Sequence, residues 1–534
     1  MRVRSLSWAN YRRLPDGHIE ARNHLVLVGP NDSGKSSVLR AIYLCLGMPH
    51  VQLPASISAR DFTDPAIPLR LSVALDGIEP EDRSAFPDEI SLGDGETLRI
   101  SIEATLDPGD PDVKVVRRFF PDSGHMRAPS RQQLEAIGFA YVPPVRSLLR
   151  ELGSASGGAV RSLLSGLDLG ADADALKAAA EQYQATLADS RALKEFRNEM
   201  SAALSAALPT PISSDELKVI SEGDLLNDPL SGVTITLREA DRDIPLAEQS
   251  DGIRALSVLT LLGISHKTAR IFGVDEPETH LHPAAQRALA RTMGMSSSQR
   301  VLVTHSASIV SQMHPLDIVA FRSDRTAHQL PIDAPIADLD ATVRHWSTRL
   351  LEPLTARCIL LLEGAADRIL VERVAELAGW DLDRLGVARV ELDGSGSFAN
   401  AYRLFGPPGF DVRLVGLGDQ DARAAWASAV GANPADLEAH GYVVCDPDLE
   451  GMYIEHLGGE AVIAMLLASP TVTEHSLLLA CHAANLSDIT NAQLADYCRG
   501  RRRKTQAALA VAHALDETQA RALSPLIKLL SLTS

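Results

Sequence analysis

Short, wholly apolar runs that end in glycine or acid recur along this chain. Leu25–Val28 is four consecutive aliphatic residues running into Gly29, and positions 36–46 then carry apolar residues at helical spacing. Runs of this length with no polar alternation predict strands buried on both faces, as in parallel sheets. Further strand-like runs fall at 69–75, 98–104, 113–119, 139–142 and 233–237, with Gly, Pro and Asp between them. From about 160 to 207 the texture changes to Ala, Leu, Glu, Lys and Arg at helical spacing, closed by Pro209 and Pro211. That block predicts helices, but it is too short for a long coiled-coil arm. Residues 153–158 read as a flexible connector. A second α/β section runs from about 240 to 325. After Pro353 the run Cys358–Leu362 opens another α/β unit, with strands expected at 412–417 and Tyr442–Cys445.

Composition narrows this picture. The chain has 534 residues, 45% hydrophobic and 22% charged, the balance of a folded globular protein with several domains. It holds no run of the ~20 apolar residues that would span a bilayer. The opening MRVRSLSWANYRRL lacks the apolar core of a secretory leader. The five cysteines (45, 358, 445, 481 and 498) form no CxxC pair, so neither a zinc knuckle nor a disulfide framework is expected. A cytoplasmic location and no membrane partner are the expectations. The net charge of -18 weighs only mildly against nucleic acid, because binding needs a local basic groove rather than a basic average.

The most specific motif is Gly29-Pro30-Asn31-Asp32-Ser33-Gly34-Lys35-Ser36, a GxxxxGKS between a strand and a helix. Its glycines let backbone N–H groups curl around a phosphate, and the helix N-terminus adds partial positive charge. Lys35 is expected to reach the β- and γ-phosphates of ATP and Ser36 to hold Mg²⁺, with Asn31 and Ser37 alongside. The apolar run 270–274 ends in Asp275-Glu276. Asp275 suits the Mg²⁺ of the nucleotide, and Glu276 suits the base that polarises the attacking water. Another strand-like run, 301–304, ends in His305.

This order of motifs resembles the ABC-type ATPases of the SMC and recombination-repair group, as does Asn10-Tyr11-Arg12 before the first hairpin. The resemblance implies that Ser250 and Gly252 cap the nucleotide held by another subunit, which requires a dimer, and that His305 senses the γ-phosphate. The lack of a membrane span argues against a transporter.

The last unit carries acids at three strand ends. Glu363 follows Cys358–Leu362 and, after a glycine turn, Asp367 heads a helix; Asp419 and Asp421 follow a second strand; Asp446, Asp448 and Glu450 follow a third. Carboxylates at the carboxyl ends of α/β strands make a set of hard oxygen ligands suited to one or two Mg²⁺ or Mn²⁺ ions. Like charges this close favour metal occupancy.

The pattern EGxxD, then DxD, then a later acid resembles a Toprim domain. Joined to an ABC-type ATPase, it resembles the OLD (overcoming lysogenization defect) family of ATP-dependent endonucleases, which includes the nuclease subunit of the Gabija anti-phage system. The resemblance implies metal ligands at Glu363, Asp367, Asp419, Asp421 and Glu450, with Asp446, Asp448 and Glu455 competing for the last role, and a catalytic lysine at Lys504 in the basic run 499–504. Ala422 and Arg423 depart from the family, where another acid often follows DxD.

The expected fold class is α/β, with an ABC/SMC-like P-loop ATPase domain followed by a C-terminal, Rossmann-like Toprim domain. The ATPase is expected in two parts, 1–160 and 236–350, around a helical insert at 161–235 that the resemblance assigns to dimerisation; the Toprim nuclease domain is expected at 354–534. The implied function is ATP-regulated cutting of DNA by a homodimer or higher homo-oligomer, in anti-phage defence or DNA repair, with a helicase as a further partner. The alternative is a DNA-binding clamp that no longer cuts. Topoisomerase and primase chemistry would each need an accessory module that the chain does not supply.

Overall fold

The computed structural model describes residues 1–93, 95–107, 110–123, 126–142, 182–183, 185–208, 211–221, 233–239, 242–245, 248–250, 252–253, 256–257, 269–279, 281–294, 298–332, 351–500 and 503–533. The connector at 153–158, much of the expected insert, Asp251, Arg501 and Arg502 lie outside them. Two compact units divide at Ala327/His328.

The first unit holds a six-stranded sheet in the order Ala327–Gln329, Ile318–Phe321, Leu25–Val28, Gln299–Val303, Ile271–Asp275, Phe139–Val142. The pairings of Leu25–Val28, Gln299–Val303 and Ile271–Asp275 are parallel. Leu25–Val28 and Ile271–Asp275 are buried at every position, which is why both are apolar without alternation. A second sheet is antiparallel, with Arg2–Ala9 and Leu69–Asp76 at its centre. The helix Lys35–Leu46 packs on strands of both sheets. Its Val38, Leu39, Ile42 and Leu46 share one core with Leu71, Val73 and Ile100 on one side and Val301 and Val303 on the other.

The segment expected to be a helical insert is mixed. Arg191–Ala207 is a helix, but Leu217–Ser221 pairs antiparallel with Val233–Glu239, which pairs in turn with Arg242–Pro245. The helix stops at Leu208, just before Pro209. After the prolines, β-branched Val219, Ile220, Val233 and Ile235 favour a pleated ladder over a helix.

The second unit, His328–Ser534, carries a four-stranded parallel sheet in the order Val387–Glu391, Cys358–Leu362, Arg413–Asp419, Tyr442–Cys445. The chain leaves Cys358–Leu362 for one neighbour and then returns to the other. The carboxyl ends of Cys358–Leu362 and Arg413–Asp419 therefore flank a topological switch point, the place where open α/β sheets form a crevice. After Tyr442–Cys445 every regular element is a helix, from Leu449–Leu457 to Ser524–Ser531. These helices share one core with Ala365–Ala378 and the sheet. None of the helices, among the described residues, is long and apolar enough to cross a membrane.

Candidate functional site

The first cleft forms around the glycine-rich loop. Gly34 has φ 102° and N-caps the helix Lys35–Leu46; a Cβ there would lie 2.3 Å from Leu14 Cδ2, so only glycine fits. Lys35 is 4% exposed, and its ammonium donates to the Pro30 carbonyl at 2.6 Å. Burial lowers its pKa to about 8 against the opposing charges of Glu276, Asp275 and Glu278. Ser36 Oγ donates to Asp275 Oδ1 at 3.1 Å, joining two positions 239 residues apart. Burial raises Asp275 to about 6; the Ser36 hydrogen bond opposes this and the Glu276 charge adds to it.

Glu276 sits at φ 47°, an uncommon backbone for a non-glycine residue. Its Oε1 lies 3.9 Å from His305 Nε2. Burial, with Lys35 nearby, holds His305 below its usual pKa, so near neutral pH the imidazole is uncharged and can accept or donate a hydrogen bond. Gly29 lies against the Phe321 carbonyl. Ser37 Oγ accepts from Arg12 at 2.9 Å. Arg12 and Arg40 both pair with Asp61, at 2.8 and 2.5 Å; burial pushes that carboxyl up, yet the Arg12, Ser58 and Arg40 hydrogen bonds hold it below the usual range. Asn31 is exposed. Ser250 is exposed and Gly252 lies in helical backbone, with no bond from either to the loop among the described contacts.

Glu278 carried no motif signal in the sequence. Its Oε1 accepts the His305 backbone N–H at 2.5 Å, so it anchors the turn that presents the histidine. The signal available was an acid three residues after Asp275.

The second cleft lies at the switch point of the parallel sheet. Glu363, Asp419 and Asp421 each offer an oxygen, and these atoms all lie within 4.8 Å of one another. Glu363 Oε1 accepts the Asp419 N–H at 3.0 Å, and Asp419 Oδ1 accepts the Leu449 N–H at 3.0 Å. Asp367 is 2% exposed, and its Oδ2 accepts the Gly364 N–H at 2.9 Å. Glu450 is 1% exposed and its Oε2 lacks a hydrogen-bond partner. Lys504 Nζ stands 3.7 Å from Glu450 Oε1 and 4.0 Å from Asp419 Oδ2. Asp367 and Glu450 are therefore gathered around Lys504 but do not join the close trio.

Burial is the largest cause that raises Glu363, Asp367, Asp419 and Glu450 above their usual pKa, with Lys504 pulling each of them back. Asp367 reaches about 7. A hard divalent cation fits this donor set: three carboxylate oxygens converge, and a buried fourth carboxylate has an unpartnered oxygen.

Asp448, one of the rivals for the last ligand, is committed elsewhere. It N-caps the helix Leu449–Leu457, accepting from Gly451 N at 2.8 Å. Arg499 grips it through Nε and through Nη2, the latter at 3.2 Å. Arg499, read from sequence only as part of a basic run, thus fixes the start of the helix that carries Glu450. Replacing it with methionine is expected to lower nuclease activity by roughly tenfold and leave ATP hydrolysis unchanged, since a charge-assisted bidentate pair positions the neighbouring acid. Arg499→Lys should restore part of the loss; equal loss of both activities would point to unfolding instead.

The raised carboxyls set a pH dependence for the metal-free protein. Asp367 titrates near 3.8 when unfolded and near 7 when folded. Between those values the folded chain holds a proton that the unfolded chain has released, so stability falls as pH rises from about 4 to about 7. In chelator, the unfolding temperature should drop between pH 5 and 8. Mg²⁺ or Mn²⁺ at pH 8 should recover it, and Asp367→Asn should flatten the slope. An unfolding temperature that rises over that interval contradicts this.

Comparisons with known proteins bear on both units. A family model described as "AAA domain, putative AbiEii toxin, Type IV TA system" matches residues 25–135 and 145–311, together more than half of the chain. A second, "Overcoming lysogenization defect protein-like, TOPRIM domain", matches residues 354–421. The OLD nuclease of Thermus scotoductus is 24% identical over 413 residues, covering 73% of this chain and 77% of that protein. The Old nuclease of Escherichia phage P2 is 26% identical over 163 residues, 28% of each chain. Among solved structures, the C-terminal region of the Burkholderia pseudomallei OLD protein is 24% identical and covers 34% of this chain and 99% of its own, with a TM-score of 0.28. An SMC head bound to the C-terminal winged-helix domain of ScpA is 17% identical and covers 61% and 97%, with a TM-score of 0.39. With its nucleotide loop inside the first match and Glu363, Asp419 and Asp421 inside the second, the chain belongs to the AAA-domain family and is an OLD-family protein, an ATPase joined to a TOPRIM nuclease.

Proposed function

We propose that this ATP-dependent nuclease is a divalent-metal-dependent DNA endonuclease. The observation that carries the reading is the convergence of Glu363, Asp419 and Asp421 oxygens within 4.8 Å of one another at the sheet's switch point. Mg²⁺ or Mn²⁺ bound there supplies Lewis acidity toward a phosphodiester. Glu363 is oriented by the Asp419 N–H, and Asp419 by the Leu449 N–H. Asp367 and Glu450 complete the acidic wall, and Lys504 is placed to meet the developing charge on the phosphate.

In the other unit, Gly29, Asn31, Gly34, Lys35, Ser36 and Ser37 form the ATP cradle, with Mg²⁺ held by Ser36 and Asp275. Glu276 is the base and His305 the γ-phosphate sensor. Ser250 and Gly252 act on the nucleotide of a second copy, so the working form is a homodimer or a larger homo-oligomer, with dimer contacts in the 161–235 segment. Anti-phage defence or DNA repair is the biological setting, with a helicase as partner in the first case.

The test is supercoiled plasmid incubated with Mg²⁺, Mn²⁺ or chelator, each with and without ATP. Nicking or linearisation should require the metal and change with nucleotide. DNA that is bound and shifted but never nicked would favour a non-cutting clamp, the reading suggested by Ala422 and Arg423 where a further acid is common.

A further inference from the structure

We propose that, before nucleic acid arrives, the crevice takes a single divalent cation between Glu363, Asp419 and Asp421, while Lys504 holds the Glu450 side as a built-in cation that yields only to a nucleic-acid phosphate. The inference rests on the metal-dependent nuclease reading above and adds an order of loading to it.

The crevice has two unequal halves. On one side the three oxygens of Glu363, Asp419 and Asp421 are already within 4.8 Å of one another. Opposite ligands on one Mg²⁺ stand about 4 Å apart, since each bond is ~2.0–2.1 Å, so a small contraction completes the set. Among the described residues no second trio of acids converges in this way. Asp421 is followed by Ala422 and Arg423, so the chain there adds a small apolar group and a cation instead of another ligand.

On the other side stands the ammonium of Lys504. It lies 3.7 Å from Glu450 Oε1 and 4.0 Å from Asp419 Oδ2, on carboxylates whose side chains are 2% and 17% exposed. A divalent ion bonded to those same oxygens would approach within a few ångström of Nζ. At such distances in a half-buried site the repulsion is several times thermal energy, so the ammonium and a second ion exclude each other.

Lys504 is also built to let go. It is the first residue of the helix Lys504–Ala514. Its backbone N–H is fixed to the Gly500 carbonyl at 2.9 Å, and the preceding Arg503 lies over the Tyr497 ring at 4.6 Å. The anchor is firm, yet the charge sits on a flexible four-carbon stem. A phosphate entering the crevice offers this ammonium a new anionic partner. Glu450, with Oε2 already lacking a hydrogen-bond partner, is then released to take a cation.

The test counts Mn²⁺ bound to the full chain by electron paramagnetic resonance and calorimetry, without nucleotide. An Asp275→Asn background removes the acid of the nucleotide cleft. One tight ion per chain is expected, with a second well separated in affinity. Lys504→Met should strengthen the second ion by about tenfold or more, because it removes a unit charge some 4 Å away. An uncleavable phosphorothioate duplex should recruit the second ion to the Lys504 protein. Two ions of matched affinity without DNA, or a second ion indifferent to Lys504→Met, overturn the proposal. Lys504→Gln gives the same measurement if the methionine variant folds poorly. Glu363→Gln separates the two readings. If the first ion survives that change, the metal centre itself is wrong; if it is lost while Lys504→Met does nothing, only the lysine's role fails.

Discussion

Glu363→Gln is expected to reduce plasmid nicking by about a thousandfold, or about 4 kcal/mol of barrier, with ATP hydrolysis within about twofold of the parent chain. The side chain follows the central strand Cys358–Leu362 and touches Asp419 through its backbone N–H. Glutamine keeps the shape and the acceptor oxygen, so the Asp419 contact can survive. What is lost is the negative charge where three carboxylates converge. A cation would then meet two charged ligands instead of three, and the phosphodiester would lose its electrophilic partner. The measurement is single-turnover nicking beside a phosphate-release assay on the same preparation. Cutting that persists above a tenth of the parental rate would remove Glu363 from the chemistry and the acidic crevice with it.

Lys35→Met should produce the opposite pattern at the first cleft, a fall of about a hundredfold or more in ATP hydrolysis with the fold intact, since one preorganised charge on a transferring phosphoryl group commonly accounts for that much. Methionine preserves length and apolar contact where the lysine is almost wholly buried. The Pro30 carbonyl loses its 2.6 Å donor, but nearby glycine-loop amides and water can serve it. Metal-dependent nicking without nucleotide should persist. Circular dichroism and unfolding temperature verify the fold; hydrolysis retained above a tenth of the parent's would exclude this loop as the ATP site.

Legibility in the sequence followed the physics of each element. Leu25–Val28, Phe139–Val142, Cys358–Leu362 and Tyr442–Cys445 could be read to the residue because both of their faces are shielded, leaving unbroken apolar runs. The segment from 161 to 235 was harder. Its Ala- and Leu-rich opening signals helix, whereas Leu217–Ser221 and Val233–Glu239 depend on pairing with each other, which no local pattern announces. In the acidic crevice, strand ends pointed to Glu363, Asp419 and Asp421. The sequence left Asp448 and Glu450 as rivals for one role because acids two apart on a helix start look alike; the partner that distinguishes them, Arg499, is 51 positions from Asp448. Glu278 was overlooked for a similar reason, since its partner is the backbone of His305 and backbone groups leave no trace in a pattern of side chains.

The position of Leu25–Val28 between Ile318–Phe321 and Gln299–Val303 has a consequence for biosynthesis. On a ribosome the nucleotide-loop strand emerges early, but both its neighbours are translated nearly three hundred residues later, a separation matched by the Val3–Gln299 hydrogen bond spanning 296 positions. Until then its two edges and both apolar faces have no permanent cover, and such long-range closure is slow and aggregation-exposed. A nascent chain halted before residue 299 should therefore remain protease-sensitive and bind holdase chaperones through this stretch. One released beyond residue 321 should acquire ATP binding and protection together, in a single late step.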